Sequence, residues 1–260
     1  FRTLFRNGKY LDYFYHFQKL LSKNSIPYLN CPQERDNDLR SIGDRVKDCE
    51  NAMMSSPFFK NCQSTQKRNF VLLGHSMGGL IARGLASQGP VRNCVQSVIT
   101  ISTPHQGTPL SDLVMESNAD ANFIVWLSHL LKFDSQNRRY LPELAMKDPQ
   151  GQRPKIQQVA DNPGVNYFSI TNSRKIFTNP ILAITALRLR SLIEEFGLEK
   201  SKYGTDNDGI IPEYSMAYGQ VLAHINADHW ESTCIVPLVR LSRSCQEVQR
   251  VLMRFLKSIH

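Results

Sequence analysis

The apolar run Phe70–Leu73 stops at Gly74, and beyond Ser76 the apolar residues Leu80, Ile81 and Leu85 recur at helical spacing. A short continuous apolar run between a polar loop and a glycine reads as a strand buried on both faces, and the following periodicity reads as a helix over Met77–Ser87. Val95–Ile101 is then a second β-branched run, closed by the Thr103-Pro104 break. Strand, helix and strand in that order predict a mostly parallel sheet with helices on both faces and right-handed crossovers, an α/β fold. Few other architectures accept this pattern.

The flanking chain continues it. Leu11–Leu21 carries helical spacing, Ile26–Leu29 reads as a short strand, and Asp38 begins a second amphipathic helix running toward Met54, before a polar loop up to Phe70. Between about Leu110 and Gly164 the alternation breaks, although Phe123, Ile124, Trp126, Leu127, Leu130 and Leu131 form an apolar helical stripe. That segment is expected to be a helical insertion in a single domain covering residues 1–260. Val165–Thr171 and Val221–Ala223 return to strand character.

Composition excludes several classes. With 41% hydrophobic and 21% charged residues in 260, the chain is neither disordered nor fibrous. Arg188 and Arg190 interrupt its best apolar stretch, so no transmembrane segment of roughly 18 apolar residues is expected. The net charge is +8, but the lysines and arginines are scattered, with Arg138-Arg139 the nearest to a cluster. No nucleic-acid partner is expected on that ground, whereas a positive surface is compatible with transient binding to an anionic lipid interface.

Six cysteines, Cys31, Cys49, Cys62, Cys94, Cys234 and Cys245, form an even set without CxxC spacing, which speaks against structural zinc. Disulfides in an oxidising compartment and buried free thiols both remain open, and Cys234–Cys245 is the first pairing expected. A secreted protein is the corresponding localisation. The chain opens at Phe1 with no charged segment followed by an apolar one, so either a leader was removed or further chain precedes it.

Gly74-His75-Ser76-Met77-Gly78 has the spacing G-x-S-x-G. Spacing alone says little, but here it lies between a buried strand and a helix, where a serine is held on a sharp strained turn with its hydroxyl exposed. Gly74 and Gly78 keep the neighbourhood small, and Gly79 permits close packing. The first N–H of the helix, on Met77, is placed to stabilise an oxyanion.

A serine hydroxyl is a weak nucleophile at neutral pH and needs a base, itself oriented by a carboxylate. Of the histidines that follow, His105 precedes every good acid, His129 lies in an apolar helix and His260 is terminal, leaving His224 and His229. His229, in Asp228-His229-Trp230-Glu231, stands on a polar loop beyond a strand and is favoured as the base. His224 reads as a strand-end histidine with a satisfied hydrogen bond. The acid is expected on a turn just after a strand. Asp206-Asn207-Asp208-Gly209 supplies two carboxylates, Asp208 being favoured, while a plain Asx turn or a calcium loop are the competing readings.

Taken together, Gly-His-Ser-Met-Gly-Gly at 74–79, Ile-Ser-Thr-Pro-His-Gln-Gly-Thr at 101–108, Asn-Asp-Gly-Ile-Ile-Pro at 207–212 and Asp-His-Trp at 228–230 resemble the α/β-hydrolase fold, and within it bacterial triacylglycerol lipases and related carboxylesterases. The resemblance implies Ser76 as nucleophile, Asp208 as acid and His229 as base of an ester hydrolase acting on acyl esters or lipids. It implies no redox cofactor. Some members hold structural calcium near the histidine, with Glu231 in that neighbourhood. It also implies a helical lid, with about 110–164 and Ile176–Leu198 the candidates. Members carry a His-Gly dipeptide at the end of an earlier strand, whose next residue donates the second oxyanion N–H. Spacing to Asp12-Tyr13-Phe14 puts Phe1 at or beside that position, so N-terminal strands upstream of Phe1 are expected. An acyltransferase or thioesterase with the same triad, and a non-catalytic hydrolase-fold binding protein, are the alternatives.

Overall fold

In the computed structural model of the chain, residues 14–31, 40–115, 140–147, 150–234 and 242–259 are described. Four parallel strands lie in the order of their sequence: β1 (Phe70–His75), β2 (Val95–Ile101), β3 (Asn166–Ser173) and β4 (Gln220–Asn226). Pairing brings Gly74 beside Thr100, Ile101 beside Ile170 and Ser173 beside Asn226, so the four C-terminal ends form one edge.

Side-chain alternation sends each strand's apolar residues to two separate cores. On one face Leu72 and Val98 pack with α2 (Ile42–Met54), α3 (Pro57–Thr65) and α4 (Met77–Ser87), through Cys49, Phe59, Ala82 and Leu85. On the other, Ile99, Ile101, Ile170 and Ile225 meet Phe17 of α1 (Tyr15–Lys23) and Val248, Leu252 and Leu256 of α9 (Arg243–Ser258). Helices therefore cover both faces, as a parallel sheet requires to bury its apolar surface. The sequence strands Phe70–Leu73, Val95–Ile101 and Val221–Ala223 lie in this sheet, and Val165–Thr171 joins it from Asn166 onward.

Three local expectations are corrected. Ile26–Leu29 pairs with no strand among the described residues, because Pro27 lacks a backbone N–H, and Tyr28 and Leu29 face solvent. The polar stretch before Phe70 contains a helix, α3, capped by Ser56 with Pro57 in its first turn. Only Phe59 and Cys62 turn inward from it, too few for a periodicity to show. The second helix starts later than Asp38, at Ile42, where Ser41 and Asp44 form a capping box.

Of the expected insertion, α5 (Pro109–Met115) and α6 (Leu141–Leu144) are described. The stripe from Phe123 to Leu131 lies outside the described residues, as does Phe1. Beyond β3 come α7 (Pro180–Glu195) and α8 (Glu213–Met216). The three disulfides pair the cysteines consecutively: Cys31–Cys49, Cys62–Cys94 and the expected Cys234–Cys245. Among the described residues no helix is long and apolar enough to cross a membrane.

Candidate active site

Ser76 stands between β1 and α4 with φ 54° and ψ −131°, a strained backbone for a residue with a side chain. Tertiary contacts hold it there: its N–H donates to the Ile101 carbonyl at 2.9 Å, and its carbonyl accepts from Gly79 N–H at 3.0 Å. The turn is so tight that a Cβ on Gly74 would stand 2.4 Å from the Gly78 oxygen. A Cβ on Gly79 would meet Thr103 Oγ1 at 2.0 Å, whereas one on Gly78 would meet nothing within 4 Å among the described residues. Gly74 and Gly79 are thus the glycines that packing demands. Gly78 contributes its backbone. Met77 opens α4, and its N–H is among those that helical geometry leaves without an intrahelical acceptor.

Asp208 and His229 meet at the same edge of the sheet. His229 Nδ1 lies 2.7 Å from Asp208 Oδ2, and both residues are buried. The backbone doubles the link, since His229 N–H donates to the Asp208 carbonyl at 2.9 Å. The second carboxylate oxygen, Oδ1, accepts the N–H groups of Ile210 and Ile211 at 3.0 and 2.8 Å. Asp208 therefore has the Asx-turn bonds of the competing reading and an imidazole partner as well. Asp208, expected as the acid, is not on a turn directly after a strand. It lies beyond α7, and reaches the edge because Arg174, one residue past β3, donates its N–H to the Asn207 carbonyl at 3.0 Å. A tertiary contact does what adjacency in sequence was expected to do.

The other candidates are engaged elsewhere. His224 Nδ1 is 2.7 Å from the Glu213 carboxylate, with the Thr171 and Ser173 hydroxyls at 3.3 and 3.4 Å. The hydrogen bond to Glu213 raises its pKa against the opposing effect of burial. Burial would raise the Glu213 carboxyl, but the bond and charge of His224 outweigh it and hold that group low. His105 is wholly enclosed, its ring stacked on Tyr218 at 4.3 Å and near Arg83. Burial, then the Arg83 and Arg153 charges, keep it well below the usual imidazole range. Asp228 caps the turn after His229, accepting the N–H groups of Trp230 and Glu231 at 3.0 and 2.8 Å.

Glu231, in the neighbourhood where calcium was expected, is engaged by protein groups. Its carboxylate holds the Arg174 guanidinium and the Asp228 N–H, and no three His, Cys, Asp or Glu side chains converge on a cation site among the described residues. Phe1, expected as the second oxyanion donor, lies outside the described residues.

Sequence reasoning passed over His75, the variable position of the glycine-serine motif. It is buried, its ring lies 4.6 Å from that of His229, and its Nε2 is 3.1 Å from the His229 carbonyl oxygen. Only its apolar surroundings in the run Phe70–Leu73 hinted that a histidine there would be enclosed.

Comparison with known proteins follows the same line. Residues 38–139 match the family described as PGAP1-like alpha/beta domain. Triacylglycerol lipase 2 of Saccharomyces cerevisiae is 26% identical over 188 residues, 66% of this chain and 50% of that protein, so the chain spans half the length of this relative. The mature lipase BlEst2 of Bacillus licheniformis superposes with a TM-score of 0.53 at 20% identity, over 81% of this chain and 74% of the other. The metagenomic carboxyl esterase MGS0156 gives 0.55 at 15% identity, over 87% and 65%. With the parallel sheet, the strained serine turn after β1 and the buried carboxylate–imidazole pair at one edge, these likenesses make the chain an α/β-hydrolase-fold protein similar to lipases and esterases.

Proposed function

We propose that this protein is a serine carboxylic ester hydrolase, a lipase acting on acyl esters through an acyl-enzyme. Ser76 attacks the ester carbonyl, His229 Nε2 accepts the hydroxyl proton and delivers it to the leaving alcohol, and water then releases the acid by the same route in reverse. Asp208 holds Nδ1–H, which fixes the tautomer whose Nε2 is free to accept, and its negative charge stabilises the imidazolium. The Met77 N–H, reinforced by the α4 dipole, meets the developing oxyanion, with the residue near Phe1 as the second donor. A helical lid over the acyl pocket is part of the proposal, its expected segment of about 110–164 lying partly outside the described residues. The three disulfides fit an oxidising compartment, and secretion is part of the proposal.

The observation that carries the proposal is the coincidence, at one sheet edge, of the strained Ser76 turn with a buried Asp208–His229 pair bonded at 2.7 Å. A buried carboxylate beside an imidazole is costly unless each satisfies the other. The test is hydrolysis of p-nitrophenyl esters from acetate to palmitate by wild type and Ser76→Ala, with and without dispersed lipid, alongside fluorophosphonate labelling. Turnover and labelling that vanish in Ser76→Ala, with long chains preferred at an interface, are expected. Equal activity in both proteins would overturn the assignment, and transfer of the acyl group to added alcohol in place of water would reassign it as an acyltransferase.

A further inference from the structure

Four buried polar side chains and the His229 carbonyl form a continuous row beneath the candidate site, with members at or just beyond the C-terminal ends of all four strands. Asn172, near the end of β3, donates from Nδ2 to Ser102 Oγ just after β2. Ser102 Oγ lies 3.4 Å from Ser232 Oγ, in the loop after β4, and Ser232 Oγ donates to the His229 carbonyl at 3.0 Å. His75, the last residue of β1, completes the row, with Nε2 3.1 Å from the same carbonyl and 3.3 Å from Ser232 Oγ. Asn172, Ser102 and Ser232 are fully enclosed, and His75 and His229 nearly so. A row of hydrogen-bonding groups in a sheet's interior is destabilising unless its members satisfy one another, so it calls for a reason beyond packing.

We infer that His75 is a positioning residue for the reaction: its Nε2–H, with Ser232 Oγ–H, grips the His229 carbonyl and so sets the imidazole over the adjacent Ser76. A carbonyl oxygen only accepts, so Nε2 must carry the proton, which specifies the neutral Nε2–H tautomer of His75. Burial, and next the proximity of His229, hold His75 in that neutral form. The base otherwise hangs on a loop, the kind of segment that drifts. Asp208 fixes that loop relative to the acid. His75 fixes it relative to the serine most directly, because its ring belongs to the residue that precedes Ser76, while the Ser232–Ser102 contact ties the same loop to the end of β2. Ser76 and His229 are thereby positioned by one strand end, independently of any hydrogen bond between their own side chains. The role rests on the hydrolase assignment of the same site.

His75→Phe keeps a ring of similar size and removes the donor, while His75→Gln returns an N–H at about the reach of Nε2. A displacement of the base of order 1 Å costs about 10²-fold, so His75→Phe is expected to lower kcat by about 10–10² at unchanged KM. His75→Gln recovers most of that loss. In the His75→Phe/Ser232→Ala double variant the carbonyl has neither donor, and the loss exceeds the product of the two single losses. Urea denaturation confirms that each variant is folded. Should His75→Phe not fold, His75→Asn, whose amide is too short for the carbonyl, carries the same expectation. A His75→Phe or His75→Asn enzyme with wild-type kcat, a loss confined to KM, or failure of glutamine to recover rate in a folded protein overturns the positioning role alone. Absence of Ser76-dependent turnover in the wild type would instead remove the hydrolase assignment, and this role with it.

Discussion

Adjacent glycines in the serine turn should respond to alanine with opposite signs. At Gly79 an added Cβ would lie 2.0 Å from Thr103 Oγ1, 2.6 Å from its Cγ2 and 2.8 Å from its Cβ. Because even the Thr103 Cβ is too close, no rotation of that side chain relieves the clash. Thr103 is also fully buried, with Oγ1 donating to the Ile101 carbonyl at 3.3 Å. Ordinary contact begins near 3.4 Å, so the worst shortfall is 3.4 − 2.0 = 1.4 Å, and α4 must lift off the end of β2. Overpacking of this kind costs about 1–3 kcal/mol, and the better helix propensity of alanine offsets less than about 1 kcal/mol of it. Gly79 N–H is bonded to the Ser76 carbonyl, so Ser76, the proposed nucleophile, moves too, and a shift near 1 Å lowers turnover by about 10². At Gly78 the new methyl meets nothing within 4 Å among the described residues, and Gly78→Ala should stabilise by a few tenths to about 1 kcal/mol. Urea unfolding followed by circular dichroism, with p-nitrophenyl butyrate hydrolysis on the same samples, measures both effects. Thr103→Ala in the Gly79→Ala background removes the two nearest atoms and should restore part of each. If Gly79→Ala unfolds at the wild-type urea concentration with wild-type turnover, or if both glycines respond alike, the packing argument is wrong.

Asp208→Asn should lower kcat by about 10⁴ with the fold retained, since an amide oxygen still accepts from Ile210 and Ile211 while its NH₂ forces the wrong His229 tautomer; a loss below tenfold would remove Asp208 from the triad. His75 and His105 have pKa values well below 6.5 in the fold, chiefly through burial, so their contribution is complete above pH 6.5 and is lost as pH falls below it, when only the unfolded chain takes up their protons. The unfolding free energy from urea titration should therefore drop between pH 7.5 and 5.5, each of the two histidines contributing a loss that approaches about 1.4 kcal/mol per pH unit below 6.5 and the raised pKa of His224 offsetting part of it, and a flat profile across that interval would contradict it. Replacing Cys234 and Cys245 together by serine opens a crosslink of sequence separation 11 and should lower stability by about 3 kcal/mol, seen as a fall in urea midpoint under oxidising conditions that leave the other two disulfides formed. Identical midpoints for wild type and the double variant under those conditions would show that the bond adds nothing.

Much of the architecture follows from local pattern. Phe70–Leu73, Met77–Ser87 and Val95–Ile101 lie where periodicity and turn residues put them, because a buried strand and an amphipathic helix write their burial into consecutive residues. Elements that bury little are poorly legible: α3 turns only Phe59 and Cys62 inward, and Ile26–Leu29 is apolar yet pairs with no strand among the described residues. The even cysteine set left the choice between disulfides and free thiols open, and its pairing depends on which residues the fold brings together.

At the candidate site the sequence by itself determined the residue types, the chain order of Ser76, Asp208 and His229, and the strand-to-helix turn that holds the serine. Tertiary structure alone decided that Arg174 carries the acid loop to the sheet edge, that His224 is held by Glu213, that Gly79 and not Gly78 is sterically required, and that His75 grips the His229 carbonyl. The physical reason is separation. Strand and helix signals repeat within a few residues, whereas His75 and His229 are 154 residues apart, and a hydrogen bond between them leaves no mark on either neighbourhood until the sheet has formed.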